Sequence, residues 1–191
     1  MKTLSLLIAL LFSLSTVAQN SMYVQKMNDA FELLARGEFQ KAAGTFDRIA
    51  GVEKKEWLPQ YYSAYATILI SMGNPNVEEA VKDNYLDKAS KSLDALLAMA
   101  PEEPEIYALQ ALYFTGRMLV NPMVRAPEYG TLSEEAIQKA LKLDPKNPSA
   151  KQLRLSNRMG TARFFGEDLS SFCKEAFTLI KSWDNYSSKS K

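Results

Sequence analysis

Three arginines, a tyrosine and two adjacent phenylalanines fall within two short stretches of this chain. The first reads Arg117-Met118-Leu119-Val120-Asn121-Pro122-Met123-Val124-Arg125-Ala126-Pro127-Glu128-Tyr129-Gly130, and the second Gly160-Thr161-Ala162-Arg163-Phe164-Phe165-Gly166. A guanidinium fork presents paired donors to a carboxylate or to a partner's backbone, and a neighbouring ring supplies contact area that is lost to water on binding. Arg117, Asn121, Arg125, Tyr129, Arg163, Phe164 and Phe165 are therefore candidates for a partner-binding edge. The competing reading is purely structural: the aromatics staple these stretches to the scaffold, and the arginines cap helix ends or face water.

Catalytic chemistry finds less support. The chain has no histidine, which removes the commonest general base and the commonest metal ligand. Carboxylates such as Glu128 and Asp168 stand near the edge, but no spacing singles out a pair. Cys173 is the single cysteine, so it forms no internal disulfide and belongs to no zinc cluster. In Leu169-x-x-Phe172-Cys173-x-x-Ala176 it sits at helical core spacing, which predicts a small buried hydrophobe. Met72, Met99, Met118, Met123 and Met159 read as gap-fillers rather than soft-metal ligands. No catalytic residue, cofactor or metal is expected.

The elements that carry these residues are helical. Tyr23, Met27, Ala30, Phe31 and Leu34 recur every three or four residues up to Gly37, and Phe39, Ala42, Ala43, Phe46 and Ile49 form the next face. Pro59 suits a first helical turn, and Asn76-x-x-Glu79 and Thr131-x-x-Glu134 read as capping boxes. Further helices are expected from Pro104, from Pro148 to about residue 159, and from Asp168 to about residue 183, giving eight helices in four antiparallel pairs. The phrase Lys139-Ala140-Leu141-Lys142-Leu143-Asp144-Pro145-Lys146-Asn147-Pro148 is a helix end, a stop and a new start, and a near-copy runs from Ala89 to Pro104.

This recurrence resembles the tetratricopeptide repeat, two helices in about 34 residues with small residues where they cross. The resemblance covers roughly residues 22–183 and is strongest in Gly37-Glu38-Phe39-x-x-Ala42-x-x-x-Phe46 and in Ala140 to Pro148. It implies an all-α, tetratricopeptide-like right-handed solenoid of about four antiparallel helix pairs. Ala30, Ala66 and Ala111 take the small-residue position of the first helices, with Leu155 in the last. Their separations are 36, 45 and 44 residues, so the middle units exceed the repeat by about ten residues. The surplus is expected in long joints at 73–84 and 117–130, on the edge that also carries 160–167. A narrower resemblance, through Arg117-Met118-x-Val120-Asn121-Pro122-Met123-x-Arg125 and Arg163-Phe164-Phe165-Gly166, is to exported tetratricopeptide proteins of Bacteroidota with no established activity. Where that group usually has glycine, this chain has Ala126 and Glu167, so no glycine-dependent ligand site carries over.

A concave groove is the other candidate surface, with Gln60, Ser63, Thr67, Gln152 and Ser156 along it beside Ala108 and Leu112. The lysine and asparagine clamp of chaperone-tail binders is not visible on these helices. Ahead of the helices, Met1-Lys2 and the apolar run Leu4 to Leu14 precede Thr16-Val17-Ala18, which reads as a signal peptide at 1–18. Without Lys2 the 23 basic residues become 22, against 22 acidic ones, so the basic footprint of a nucleic-acid binder is lacking. Residues 19–183 are expected as one repeat domain and 184–191 as a polar, disordered tail. The partner is expected to be a protein or peptide, met in the periplasm or outside the cell, with no integral membrane segment after signal removal. Export predicts a mature N-terminus at Gln19, which intact-mass measurement of the secreted chain reads directly.

Overall fold

A computed structural model describes residues 21–183 and Tyr186; the expected leader and nearly all of the expected tail lie outside the described residues. Among these residues there are eight helices and no strand. They are α1 (21–35), α2 (Phe39–Val52), α3 (Trp57–Gly73), α4 (Glu79–Met99), α5 (Pro104–Val120), α6 (Pro122–Leu143), α7 (Pro148–Phe164) and α8 (Ser170–Trp183). The architecture is all-α and tetratricopeptide-like. By internal contacts the chain divides into two compact units, 1–66 and 67–191, with the boundary inside α3.

In the first unit, α1 ends where Gly37 turns to φ +74°. Gly37 N donates to Leu34 O at 3.0 Å and Glu38 N to Leu33 O at 2.9 Å, the paired bonds that close a helix on a left-handed glycine. The tight turn lays α2 back against α1, and Ala30, Ala42, Ala43 and Phe46 are fully or almost fully buried. Phe31, Phe46 and Tyr62 pack as a ring trio with centroids 4.6 to 5.4 Å apart, within the favourable range for aromatic pairs.

In the second unit, α5, α6 and α7 meet over Ala108, Ala111, Ala136, Ile137, Ala140 and Ala150, flanked by Tyr107, Phe114, Leu141 and Leu153. Gly116 takes the same role between α5 and its neighbours: a β-carbon there would lie 3.0 Å from Leu86 Cδ2 and 3.6 Å from Ile68 Cγ2. Small residues are required because each crossing brings two helix backbones close together. A polar trio sits in the same layer. Asn157 Nδ2 donates to Ser133 Oγ at 3.0 Å, Ser133 Oγ donates to Ala111 O at 3.0 Å, and Thr115 Oγ1 lies 3.1 Å from Ser133 Oγ.

The stop-and-start phrase acts as a polar node. Asp144 Oδ1 accepts from Lys146 N at 3.0 Å and Oδ2 from Tyr186 Oη at 2.7 Å. Asn147, wholly buried, caps α7 by accepting from Ala150 N at 2.8 Å, while its Nδ2 donates to Glu105 Oε1 at 2.6 Å.

Several expectations about the joints are overturned. The surplus residues are helix, not loop: α3 and α4 are separated by residues 74–78 alone, and α5 and α6 by Asn121 alone. Pro122 opens α6 at its first turn, and the helix runs 22 residues through Pro127. Thr131 is therefore interior, its hydroxyl bonded to Pro127 O at 2.9 Å rather than capping a start. Asn76 does not cap α4 either; Asn74 Oδ1 accepts from Asn76 N at 2.9 Å, and the helix begins at Glu79. Cys173 is exposed, not buried, because α8 has no buried residue and packs on α7 through one face.

Replacing Asn147 by alanine removes a helix cap and the side-chain bond that ties it to Glu105. The expected loss is about 2 kcal/mol, from roughly 1 for the cap and 1 for the lost hydrogen bond. Urea unfolding followed by circular dichroism checks it. The aspartate variant should keep the cap but place two carboxylates together, and so recover stability as pH falls.

Candidate functional site

Side-chain bonds set the register between successive helix pairs. Asn121 reaches Glu79, Arg125 reaches Asp83, Asn147 reaches Glu105 and Thr115 reaches Asn157, each across 42 residues. A constant offset means that α4 and α6 run parallel, as do α5 and α7. The C-terminal ends of α5 and α7 and the start of α6 consequently emerge at one end of the second unit. That end brings the residues of 117–124 and 160–166 to one edge.

On that edge the expected residues divide by task. Arg117 is only 11% exposed; its Nη1 donates to Asp83 Oδ1 at 2.7 Å, its Nε to Tyr113 Oη at 3.0 Å, and its Nη2 to Asp87. Arg125 binds Asp83 with both prongs, Nη1 to Oδ1 and Nη2 to Oδ2, each at 2.7 Å. Asn121 Nδ2 donates to Glu79 Oε1 at 3.2 Å. These three residues thus clamp the α5–α6 corner onto α4. The physical reason is that the corner is a single residue long, which points the flanking side chains across to α4 instead of outward. Tyr129 packs its ring 6.3 Å from Phe114 and serves the α5–α6 contact.

The electrostatics follow the geometry. The Arg125 fork, helped by Arg117 and opposed by burial, holds the Asp83 carboxyl below the usual carboxylate range. Arg117 loses solvent, which works against its charge, but its bonds to Asp87, Tyr113 and Asp83 outweigh that and raise it. Asp83 therefore stays ionised between two cations throughout the physiological range.

The other members of the edge face water. Phe164 and Phe165 are 67% and 70% exposed, their rings edge to face at 5.3 Å, and Arg163 beside them is exposed too. The glycine that follows has a local cause: Gly166 is at φ +72°, with Glu167 N donating to Ala162 O at 2.8 Å. The two rings thus stand on the last turn of a firmly closed helix. Met123 and Val124, 78% and 74% exposed, belong to the same edge; Met123 is expected from sequence as a gap-filler, and Val124 is not among the candidates. An apolar corner with one exposed cation results.

The groove candidates differ in exposure. Ser63 is buried and donates its hydroxyl to Asp47; Thr67 is buried as well. Gln60 is half-buried, while Gln152 and Ser156 are exposed on α7. A feature missed from sequence lies in the first unit: a cavity of about 460 Å³ lined by Met22, Tyr23, Lys26, Asp29, Thr45, Arg48, Ile49, Val52 and Glu53. Its lining comes from two helix faces whose apolar residues look like ordinary core in a linear reading. Among the described residues no group of His, Cys, Asp and Glu side chains is arranged to hold a metal ion. No helix among them is long and apolar enough to cross a membrane.

No family model and no curated protein matches the chain. Among solved structures, it is similar to the HusA haemophore from Porphyromonas gingivalis, at 27% identity and a TM-score of 0.73, over 88% of this chain and 83% of that one. It also matches MamA 41-end from Desulfovibrio magneticus RS-1 at 21% identity, over 87% and 97% of the two chains, with a TM-score of 0.35. The MamA RS-1 ArsTM double mutant matches at 20% identity, over 85% and 76%, with a TM-score of 0.49. Of these three likenesses, that to HusA has the geometric agreement to carry weight.

Asp83→Asn should cost about 2 kcal/mol, between the values for exposed and buried pairs, because it leaves two arginines facing a neutral amide. A carboxyl whose pKa is depressed on folding stabilises fully above its unfolded pKa of about 4, and loses that contribution as pH falls further. The stability gap between the wild type and D83N should therefore be constant from neutral pH to about pH 5 and shrink below about pH 4. Chemical denaturation across that range checks both statements.

Proposed function

We propose that this chain is an exported binding protein without catalysis of its own, which captures a protein or peptide on the apolar corner of its second unit. The observation that carries the reading is the Phe164–Phe165 pair, two large rings held out in water at the end of a capped helix. Exposing two adjacent rings forgoes the stabilisation of burying them, roughly 2 kcal/mol for each. A surface that retains such groups beside further exposed apolar residues is one that is covered in a complex. Met123 and Val124 extend the apolar area, and Arg163 offers a guanidinium to a partner carboxylate. Arg117 and Arg125 support the corner through Asp83, so their part is to hold the edge in place rather than to touch the partner. Export into the periplasm or beyond rests on the apolar N-terminal run.

A second reading is favoured by the likeness to a haemophore. On that reading the cargo is a tetrapyrrole. Because the chain has no histidine, capture would depend on apolar contact with the macrocycle and on cations facing its carboxylates, with no imidazole on iron.

Phe164→Ala with Phe165→Ala tests the first reading. Both side chains are exposed, so stability should change by less than about 0.5 kcal/mol per site. Recovery of the native partner from the exported fraction should fall at least about tenfold, as when a central aromatic anchor is lost. Unchanged recovery would remove the corner from consideration. Titration with haemin, followed by the Soret band, separates the readings: a saturable shift in the isolated chain supports tetrapyrrole capture, and a featureless titration excludes it.

A further inference from the structure

None of the residues of α8 is buried, so the helix stands as a ridge on α7. Its half-buried positions are Phe172, Ala176 and Leu179. Arg158 of α7 holds that side, with its guanidinium 5.2 Å from the Phe172 ring centre and its Nη1 2.9 Å from both oxygens of Glu175. At 100° per residue, Cys173, Phe177 and Ile180 fall within an arc of about 60° beside that contact side. Phe177 and Ile180 are 67% and 59% exposed, and Trp183 adds a ring at the last turn, 41% exposed. On α6, Ser133, Ile137 and Ala140 repeat the spacing of Phe172, Ala176 and Leu179 and are buried. The residues that follow Ser133 and Ile137 there are Glu134 and Gln138, where α8 has Cys173 and Phe177. The outer face of a terminal repeat helix is ordinarily polar, for solubility; α8 reverses that.

Charge and shape say what covers the stripe. Lys174 and Lys181, both exposed, lie seven residues apart, on one side of the helix and next to Phe177. Glu175 is the helix's one acid, and Arg158 engages it. The apolar stripe is therefore bordered by positive charge. Antiparallel pairing with a second copy through Phe177 would bring Lys174 of one chain against Lys181 of the other, like charge on like. A protein partner would have to supply a groove for a projecting ridge, whereas a bilayer yields to one. We propose that α8 docks this protein on an anionic bilayer surface. Phe177, Ile180 and Trp183 enter the acyl boundary, and Lys174 and Lys181 meet lipid phosphates. An in-plane helix sinks its apolar face by about 5–10 Å, comparable to the half-width of a helix with its side chains. The surface shares no residue with the Phe164–Phe165 corner and goes beyond the partner-capture reading.

The single cysteine supplies the probe. Cys173 is exposed within the stripe, so an environment-sensitive dye on its thiol reports insertion without any substitution. The protein is the chain from Gln19, which keeps every described residue and lacks the apolar N-terminal run that would bind lipid by itself. Phosphatidylglycerol–phosphatidylcholine vesicles should shift the dye emission to the blue and sediment the unlabelled chain. Pure phosphatidylcholine vesicles should bind at least about tenfold more weakly, since each lysine near an anionic surface is worth about a factor of five. Lys174→Gln with Lys181→Gln should remove that preference. Phe177→Ser with Ile180→Ser should abolish binding to both vesicles and leave the circular dichroism unchanged, because both side chains are exposed. No binding to the anionic vesicles, equal binding to the two compositions, or undiminished binding of the serine variant would each overturn the assignment. So would a blue shift that rises with protein concentration in the absence of lipid, which would give the face to a second copy. Phe164→Ala with Phe165→Ala should leave vesicle binding intact, so failure of one proposal does not carry over to the other.

Discussion

Everything in the second unit depends on how closely its helices approach. Ala108, Ala111, Ala136, Ala140 and Ala150 are buried at the crossings of α5, α6 and α7, and Gly116 leaves room for Leu86 and Ile68. Dispersion and apolar burial act over short range, so backbones that pack this closely bring their flanking side chains into contact along most of the helix length. The same closeness makes the site possible. Arg117 and Arg125 meet a single carboxylate on α4 only because α4, α5 and α6 are held side by side.

The polar bonds add register to that packing. Apolar contacts are non-directional, and a helix could slide by a turn along an alanine-lined seam at modest cost. Bonds between residues a constant 42 positions apart remove that freedom, since a slip would strand buried groups without partners. Asn147 shows the economy: one side chain caps α7 and fixes the start of α5. Thr115, Ser133 and Asn157 do the same for α5, α6 and α7 within the core layer. Rigid register then keeps the exposed corner, from Met123 to Phe165, as a fixed shape rather than a mobile loop.

At that corner the sequence spacing and the structure part. The distances between Ala66, Ala111 and Leu155 correctly signalled about ten extra residues in each middle unit, but long joints and long helices have the same sequence spacing. Pro122 and Pro127 both fall within the surplus, and neither ends a helix. At a first turn proline costs nothing, because its missing N–H would have had no partner there. The helix therefore starts at Pro122 and absorbs the surplus, and two of the three arginines turn inward. Phe164, Phe165 and Arg163 stayed on the surface because Gly166 ends α7 immediately after them.

Local signals were enough to settle helix content, the small residues at the crossings, the left-handed glycine after α1 and the stop at Asp144 to Pro148. Each of these depends on neighbours within a turn or two, where backbone sterics and hydrogen bonding dominate. Tertiary structure alone decided which arginine faces water, that Ser63 and Thr67 are buried, and that Cys173 is not. Those outcomes turn on what another helix, tens of residues away, places opposite a side chain. Helical periodicity tells which residues share a face; it carries no record of what that face will meet.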